Sequence, residues 1–474
     1  MQPKKYLLAA LTLALLTVIL TGVLPFCIPR SVTEAFADTV SVSQFYGDGP
    51  CVDRVALVET PQEGFDTRIH ILDEAQERID LSYYAMHMGQ TTDLFLGALL
   101  DAADRGVQVR ILVDGQFGGL TYSHRDYAAA LGSHPNISLK LYNPPNLLKP
   151  WTWNGRLHDK YILVDNRLLL LGGRNIGDKY FDPEGCDLTL SYDRDVLVYN
   201  TAFADANRDS VLYRLREYLD GLWESGSVTE PFSQETKKGI KKREALLENY
   251  RVFREEQASL FDHAQDDYEL WTCEANRVTF FHNDTQIGKK EPKAGYLLGQ
   301  LLRDAKDSVT LQSPYVILDP QLESLLRDLG EKDIHASLLT NSVAVSPNPL
   351  ACAAYSRDRK AILSTGVDLW EYQGPNTLHA KSYLIDDRMA VVGSFNLDPR
   401  SDFIDTELLL AIDSPDFARQ LAEVQSGYGE KALRVGPDGR YLPGQDTQAL
   451  PLSPLKQAMV WALTPVIWLV KGLT

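Results

Sequence analysis

Cysteine is scarce in this chain. Its five copies, Cys27, Cys51, Cys186, Cys273 and Cys352, are scattered through 474 residues without one Cys-x-x-Cys pair, so the thiolate spacing of a zinc site is missing. For the four outside the apolar N-terminal stretch, one or two disulfides fit an extracytoplasmic body as well as buried free thiols do. A basic surplus is missing too. The formal net charge is −17, the wrong sign for a protein that coats nucleic acid, whose phosphates are bound by excess Lys and Arg. With 44% hydrophobic and 23% charged residues, composition does not favour disorder, and the length suffices for two cores rather than one.

Long apolar runs are confined to the two ends. Residues 6–29 carry no charge and number 24, enough to span a hydrocarbon core of about 30 Å. Lys4 and Lys5 precede them, which by the positive-inside rule puts the body outside the membrane. We expect an uncleaved anchor, because the run exceeds the roughly 7–15 apolar residues of a signal peptide; cleavage within Ala35-Phe36-Ala37 is the rival. Phe26 before Cys27 argues against a lipoprotein site. Residues 457–470, between Lys456 and Lys471, form the second run, with Trp461, Pro465 and Trp468. It is too short to cross, and its flanking lysines and tryptophans suit a membrane interface; the bland alternative is a buried C-terminal helix.

Between the ends, one plot is told twice. Ile79-Asp80-Leu81-Ser82-Tyr83-Tyr84 and Val309-Thr310-Leu311-Gln312-Ser313-Pro314-Tyr315 each read as a strand entering a loop. Helical spacing follows at Leu94, Leu96, Leu99, Leu100 and Ala103, then Gly106 and an apolar strand from Val107 to Val113; in the second copy Leu322, Leu325, Leu326 and Leu329 precede Gly330 and a strand from Ile334 to Leu339. Strand, helix, strand at this spacing signals a mixed or parallel α/β sheet covered by helices. From Phe203 to Ala264 the chain is polar with helical periodicity, and its cluster Lys237-Lys238-Gly239-Ile240-Lys241-Lys242-Arg243 is a solvated helix face or a contact for anionic head groups.

The chemistry is duplicated as well. His158-Asp159-Lys160 is followed by Asp165 and Gly172-Gly173-Arg174-Asn175, and His379-Ala380-Lys381 by Asp386 and Gly393-Ser394-Phe395-Asn396, so that Lys, Asp, Gly and Asn follow His by 2, 7, 14 and 17 residues in both copies. If each His begins a strand, His and Lys share a face. Asp165 and Asp386, at an odd offset, point away and bind backbone or a basic neighbour. Gly172 and Gly393 would let backbone approach an oxyanion, with Ser394 beside it, and Asn175 and Asn396 supply amide donors to phosphate oxygens. Two imidazoles, two ammoniums and two amides at one point would neutralise a phosphodiester, so no metal or other cofactor is expected. One neutral His attacks phosphorus to form a phosphohistidine, while the other, protonated, gives its proton to the leaving alcohol. Each imidazole wants a carboxylate behind it: Glu407 for His379 and Asp195 for His158, though either acid also fits a surface turn.

These motifs, HxKxxxxD and GSxN carried twice over residues 50–430, resemble those of the phospholipase D superfamily. Gly172 through Asp178 with Tyr180-Phe181, Gly393 through Ser401, Ser313-Pro314-Tyr315 and Leu339 through Ser342 look like bacterial cardiolipin synthases. The resemblance implies a pseudo-twofold bilobal α/β fold, each half a mixed sheet flanked by helices, behind an N-terminal transmembrane helix. It implies an active site between the halves and phosphatidyl transfer to phosphatidylglycerol at a bacterial cell membrane, with His158 the nucleophile and His379 the general acid and base. Gly173 departs from GSxN, removing a hydroxyl from the first half. The expected divisions are an anchor or signal at 1–37, a first half at 45–202, a helical connector at 203–264, a second half at 265–430 and an interfacial segment at 451–474.

Membrane phospholipids are the expected partners, phosphatidylglycerol and a second phospholipid, and no nucleic acid. A phospholipase D hydrolase uses the same residues with water as acceptor; a nuclease is disfavoured by charge and anchor, and a non-catalytic lipid-binding protein would show a damaged His or Lys. Of the other histidines, His87 is the one placed to line a cleft. Tyr355, Arg357 and Arg359 fit a second head-group site or a solvated helix face.

Overall fold

A computed structural model describes residues 2–473 except 29, 122–123, 205–207, 232–234, 264–266 and 445. Ala264 and Thr474, named above as segment ends, and the Trp468 side chain lie outside the described residues. Strands are β1 (Asp53–Val58), β2 (Arg78–Tyr83), β3 (Gln108–Asp114), β4 (Ile137–Tyr142), β5 (Lys160–Val164), β6 (Leu168–Gly172), β7 (Ser191–Tyr192), β8 (Asp195–Asn200), β9 (Val228–Thr229) and β10 (Cys273–Glu274). They continue as β11 (Arg277–His282), β12 (Ser308–Gln312), β13 (His335–Asn341), β14 (Asp368–Tyr372), β15 (Thr377–Leu378), β16 (Ser382–Ile385), β17 (Met389–Gly393), β18 (Leu408–Asp413) and β19 (Ala432–Arg434).

The first sheet runs β10-β1-β8-β6-β5-β2-β3-β4-β9 and the second β11-β18-β17-β16-β12-β13-β14-β19. Seven strands match one for one, from β1 and β11 at one side to β4 and β14 at the other, with parallel pairing confined to the last three of each series. The chain is therefore a pseudo-twofold pair of mixed sheets flanked by helices. Cys273–Glu274, past the connector, returns to pair with β1 at the edge of the first sheet.

Strand alternation builds three apolar layers. In β6, Leu168 and Leu170 face the helices of the first lobe, while Leu169 and Leu171 face inward. In β17, Met389 and Val391 face the helices of the second lobe, and Ala390 and Val392 face inward. The two inward faces make one shared core with Val196, Leu408 and Leu410, which is why these strands read as continuous apolar runs rather than as alternation. Helices Pro61–Asp73, opened by a Thr60/Glu63 capping box, and Gln90–Asp104 cover the outer face of the first sheet, and Lys293–Arg303 and Pro320–Gly330 that of the second. Within the connector, helix Val211–Trp223 buries Leu212, Leu215 and Leu219 in the shared core, and helix Lys237–Glu256 packs Leu246 and Tyr250 on the first lobe.

Among the described residues one helical stretch, Lys4–Cys27, is long and apolar enough to cross a membrane, with mean hydropathy 2.6. Its far end meets the body where Asn154 Nδ2 donates to the Gly22 carbonyl at 2.5 Å. The C-terminal helix Pro454–Val470 packs Ile467 against Ala351, Ala353 and Ala354 and leaves Leu455, Trp461 and Val466 exposed. No disulfide joins the described residues.

Gly172 and Gly393 serve packing, not an oxyanion. Each closes a strand against its neighbour, Gly172 opposite Asp195 and Gly393 opposite Leu409. A Cβ at Gly172 would lie 2.3 Å from the Arg194 carbonyl oxygen, and one at Gly393 2.1 Å from that of Leu408. Gly172→Ala and Gly393→Ala should therefore each lower stability by about 1–3 kcal/mol through overpacking, read as a reduced unfolding midpoint of the detergent-solubilised protein.

Candidate active site between the lobes

The sequence motifs enter their strands later than expected: β5 begins at Lys160 and β16 at Ser382, so each His lies in the extended segment just before. Bridges across the lobes fix those segments. Leu157 pairs with Thr406, and β7 of the first lobe with β15 of the second. The His158 N–H donates to Thr406 Oγ1 at 3.0 Å and the His379 N–H to the Tyr192 carbonyl at 2.6 Å. As a result His158 and His379 line one cavity of about 640 Å³ with Asn175, Asn396, Tyr84, Tyr180, Tyr315 and His87.

Each imidazole is held by a carboxylate of the opposite lobe. His158 Nδ1 donates to Glu407 Oε1 at 2.9 Å, and His379 Nδ1 to Asp193 Oδ2 at 2.5 Å. Both carboxylates are fully buried. Glu407 is fixed in turn by Ser401 Oγ, 2.7 Å from Oε1, and by Ser394 Oγ, which donates to Oε2. With Nδ1–H so committed, Nε2 is the nitrogen left to carry out chemistry in the cavity.

This corrects the expected partners. Glu407 orients His158, not His379, and Asp195 orients neither. Asp195 Oδ2 instead accepts from Arg68 at 3.0 Å and Arg174 at 3.1 Å, two buried guanidiniums it neutralises. Asp193 was the residue missed, and a count along the sheet would have found it: Gly172 faces Asp195 and Gly393 faces Leu409, so two residues back Asp193 corresponds to Glu407.

Asp165 and Asp386 bind backbone, as their odd offset from His predicts, and not the catalytic cavity: they sit in turns at φ 52° and accept from the backbone N–H groups of residues 76–78 and 306–308, tying each β-hairpin to the start of the neighbouring strand. Two further expectations change. Ser394 is fully buried behind Glu407 rather than facing phosphate. Tyr355 and Arg359 both bond Glu371 at 2.5 Å and do not line the cavity. Of the two amides, Asn175 is committed to the Ala85 N–H and the Tyr180 hydroxyl, whereas Asn396 Oδ1 is buried without a hydrogen bond.

The lysines lie beneath the imidazoles. Lys160 Nζ donates to the His158 carbonyl and stands 5.3 Å from the Tyr84 ring centre; Lys381 Nζ donates to the His379 carbonyl at 2.5 Å and lies 3.9 Å from Asp193. Burial pulls Lys160 down to about 7 and pushes Glu407 up to about 8. Burial and the adjacent lysines hold His158 well below its usual range and His379 down at about 4. Asp193 goes the other way: burial opposes its ionisation, but Lys381 and His379 overcome it and keep the carboxyl below the ordinary carboxylate range. The cluster thus holds two buried lysines whose charge burial disfavours beside one firmly ionised carboxylate, Asp193, and an incoming phosphodiester supplies further negative charge to them.

A family model described as cardiolipin synthase, PLD-like domain, matches residues 69–213 and 298–426, which contain both motifs. Cardiolipin synthase C of Escherichia coli is 29% identical over 404 residues, covering 78% of this chain and 84% of its own. An uncharacterized protein of Helicobacter pylori is 27% identical over 399 residues, 76% of each chain. Among solved structures, phosphatidylserine synthase of Haemophilus influenzae superposes with a TM-score of 0.62 at 17% identity, over 91% of this chain and 99% of that one, a likeness of fold.

Asp193→Asn and Glu407→Gln should each lower kcat by roughly 10²–10⁴-fold, the scale of losing the group that orients a catalytic imidazole, whereas Asp195→Asn should lower the unfolding midpoint by exposing two buried arginines to an uncompensated charge. Gly173→Ser should mimic Asp193→Asn, since a Cβ there would lie 2.2 Å from Asp193 Oδ1. Because Lys160 loses its proton as pH rises through about 7, kcat/KM for an anionic lipid should fall on the alkaline side of that value in a pH profile.

Proposed function

Because this chain belongs to the cardiolipin synthase, PLD-like domain family, we propose that it is a phosphatidyltransferase that forms cardiolipin from two phosphatidylglycerol molecules through a phosphohistidine. One observation carries this reading: two imidazoles from opposite lobes line a single cavity, each backed by a buried carboxylate of the other lobe.

The division of labour follows from those carboxylates. Asp193 is firmly ionised and pulls His379 towards its imidazolium, against the burial and Lys381 that hold the free ring at about 4, so His379 is the ring that takes up a proton when the anionic phosphodiester enters and acts as the proton carrier. His158, beside a carboxyl raised to about 8 and above Lys160, stays neutral and is the nucleophile. Its Nε2 attacks the phosphorus of the first phosphatidylglycerol; the bond to the head-group glycerol breaks, and that oxygen takes the proton of His379. The hydroxyl of the second phosphatidylglycerol then returns a proton to His379 and attacks the same phosphorus. The P–N bond breaks, freeing His158 and releasing cardiolipin. Lys160, Lys381 and the Asn396 amide balance the charge of the five-coordinate transition state.

The lipid source is the bilayer in which the Lys4–Cys27 helix sits, with the body on the extracytoplasmic side because Lys4 and Lys5 stay inside. Exposed apolar residues support the bilayer as the lipid source. Trp153 and Leu350 line the cavity and are exposed beyond it, and Leu147, Leu148 and Trp151 extend the same apolar surface beside the end of the membrane helix.

Incubating the full-length enzyme with labelled phosphatidylglycerol and analysing lipids by mass spectrometry should yield cardiolipin and glycerol in equal amounts; phosphatidic acid as the sole product would make it a hydrolase instead. His158→Ala should abolish turnover and the acid-labile covalent phosphate trapped on the enzyme. An adduct that survives in that variant would move the nucleophile to His379.

A further inference from the structure

The histidine and lysine motifs account for one phosphodiester, whereas a cavity of about 640 Å³ is of the size that holds a whole small ligand. Three more cations line its wall: Arg156, Lys179 and Arg400. Arg156 lies 3.5 Å from Asp114 and Arg400 2.9 Å from Asp405, so the charge of each is already matched. Among the described residues Lys179 has no carboxylate within salt-bridge distance; its ammonium stands 5.0 Å from the centre of the Tyr180 ring.

Lys179 is also firmly placed. It belongs to the single-turn helix Asp178–Phe181, which Asp178 fastens to the start of the Gln90–Asp104 helix by accepting from the Thr91 N–H at 2.9 Å and the Thr91 hydroxyl at 2.7 Å. Next to it, the Tyr180 ring edges His379 at 6.1 Å and its hydroxyl accepts from Asn175 Nδ2 at 3.0 Å. Lys179 therefore stands on the His379 side of the cavity, where the incoming hydroxyl gives up its proton. His87, which stacks on Tyr180, is held down at about 4 by burial and by Lys179, so it is neutral and does not compete with Lys179 for an anion.

We propose that Lys179 binds the phosphate carried by the acceptor alcohol, selecting an anionic alcohol over a neutral one. The inference rests on the phosphatidyl transfer proposed above and adds to it the recognition of the second substrate. In the transfer step the acceptor hydroxyl loses its proton to His379 and bonds to the phosphorus as the bond to His158 breaks. The acceptor's own phosphate keeps all its bonds and stays paired with the Lys179 ammonium.

The test is a competition on the full-length enzyme in detergent micelles, with unlabelled phosphatidylglycerol as donor and equal concentrations of deuterium-labelled glycerol and glycerophosphoglycerol as neutral and anionic acceptors, so that transfer to glycerol is read by mass as deuterated phosphatidylglycerol. Wild type should favour the anionic product. Lys179→Gln should cut the anionic-to-neutral product ratio by about tenfold, the usual scale for losing one charge-assisted contact, and Lys179→Arg should restore most of it. A ratio does not depend on how much enzyme is folded, and Lys179→Met supplies a second uncharged variant. An unchanged ratio in both uncharged variants would overturn the assignment, as it would for a lysine that held only free phosphate. Wild-type enzyme that releases phosphatidic acid and neither transfer product would instead sink the transferase reading itself.

Discussion

Two imidazole–carboxylate pairs crossing the lobe boundary are the constraint on which the site depends. Neither lobe contains a complete imidazole–carboxylate pair: His158 is held by Glu407 and His379 by Asp193. The crossing couples chemistry to folding, because the pairs form only when the inward faces of the two sheets meet in the shared core of Leu169, Leu171, Val392 and Leu408. Buried carboxylates cost several kcal/mol unless matched by charge and hydrogen bonds. Here much of that match comes from the other half of the chain, His158 for Glu407 and His379 for Asp193, so the pairs report correct assembly of the lobes.

Electrostatics then prepare the cavity for an anion. Two buried lysines and two imidazoles lie within a small volume, and burial lowers the pKa of every one of them. An anion entering this space favours the protonated forms of these groups, so its binding and their protonation are linked. The tyrosines around the cavity, Tyr84, Tyr180 and Tyr315, keep it lined with flat, largely apolar surfaces that exclude water without supplying competing charge.

The two copies have drifted apart in a compensated way. The second lobe uses Ser394 and Glu407, with the hydroxyl donating to the carboxylate. In the first lobe the same two places hold Gly173 and Asp193; the shorter acid sits closer to its strand, and the missing side chain at Gly173 gives it room. What looked in the sequence like a lost phosphate ligand is a spatial accommodation between two residues 20 apart in the chain.

The sequence by itself determined the duplication, the histidine and lysine pairs and the strand-helix-strand order, because side-chain periodicity and local spacing are written along the chain. Tertiary structure alone decided which acid serves which histidine. Glu407 lies 249 residues from His158 and Asp193 lies 186 from His379, and a pseudo-twofold axis exchanges partners between the copies in a way no local pattern records. The same holds for Gly172, Gly393 and Ser394, whose neighbours are strands and a carboxylate brought in by the sheet, and for Lys179, whose unmatched charge matters only because folding has matched the others.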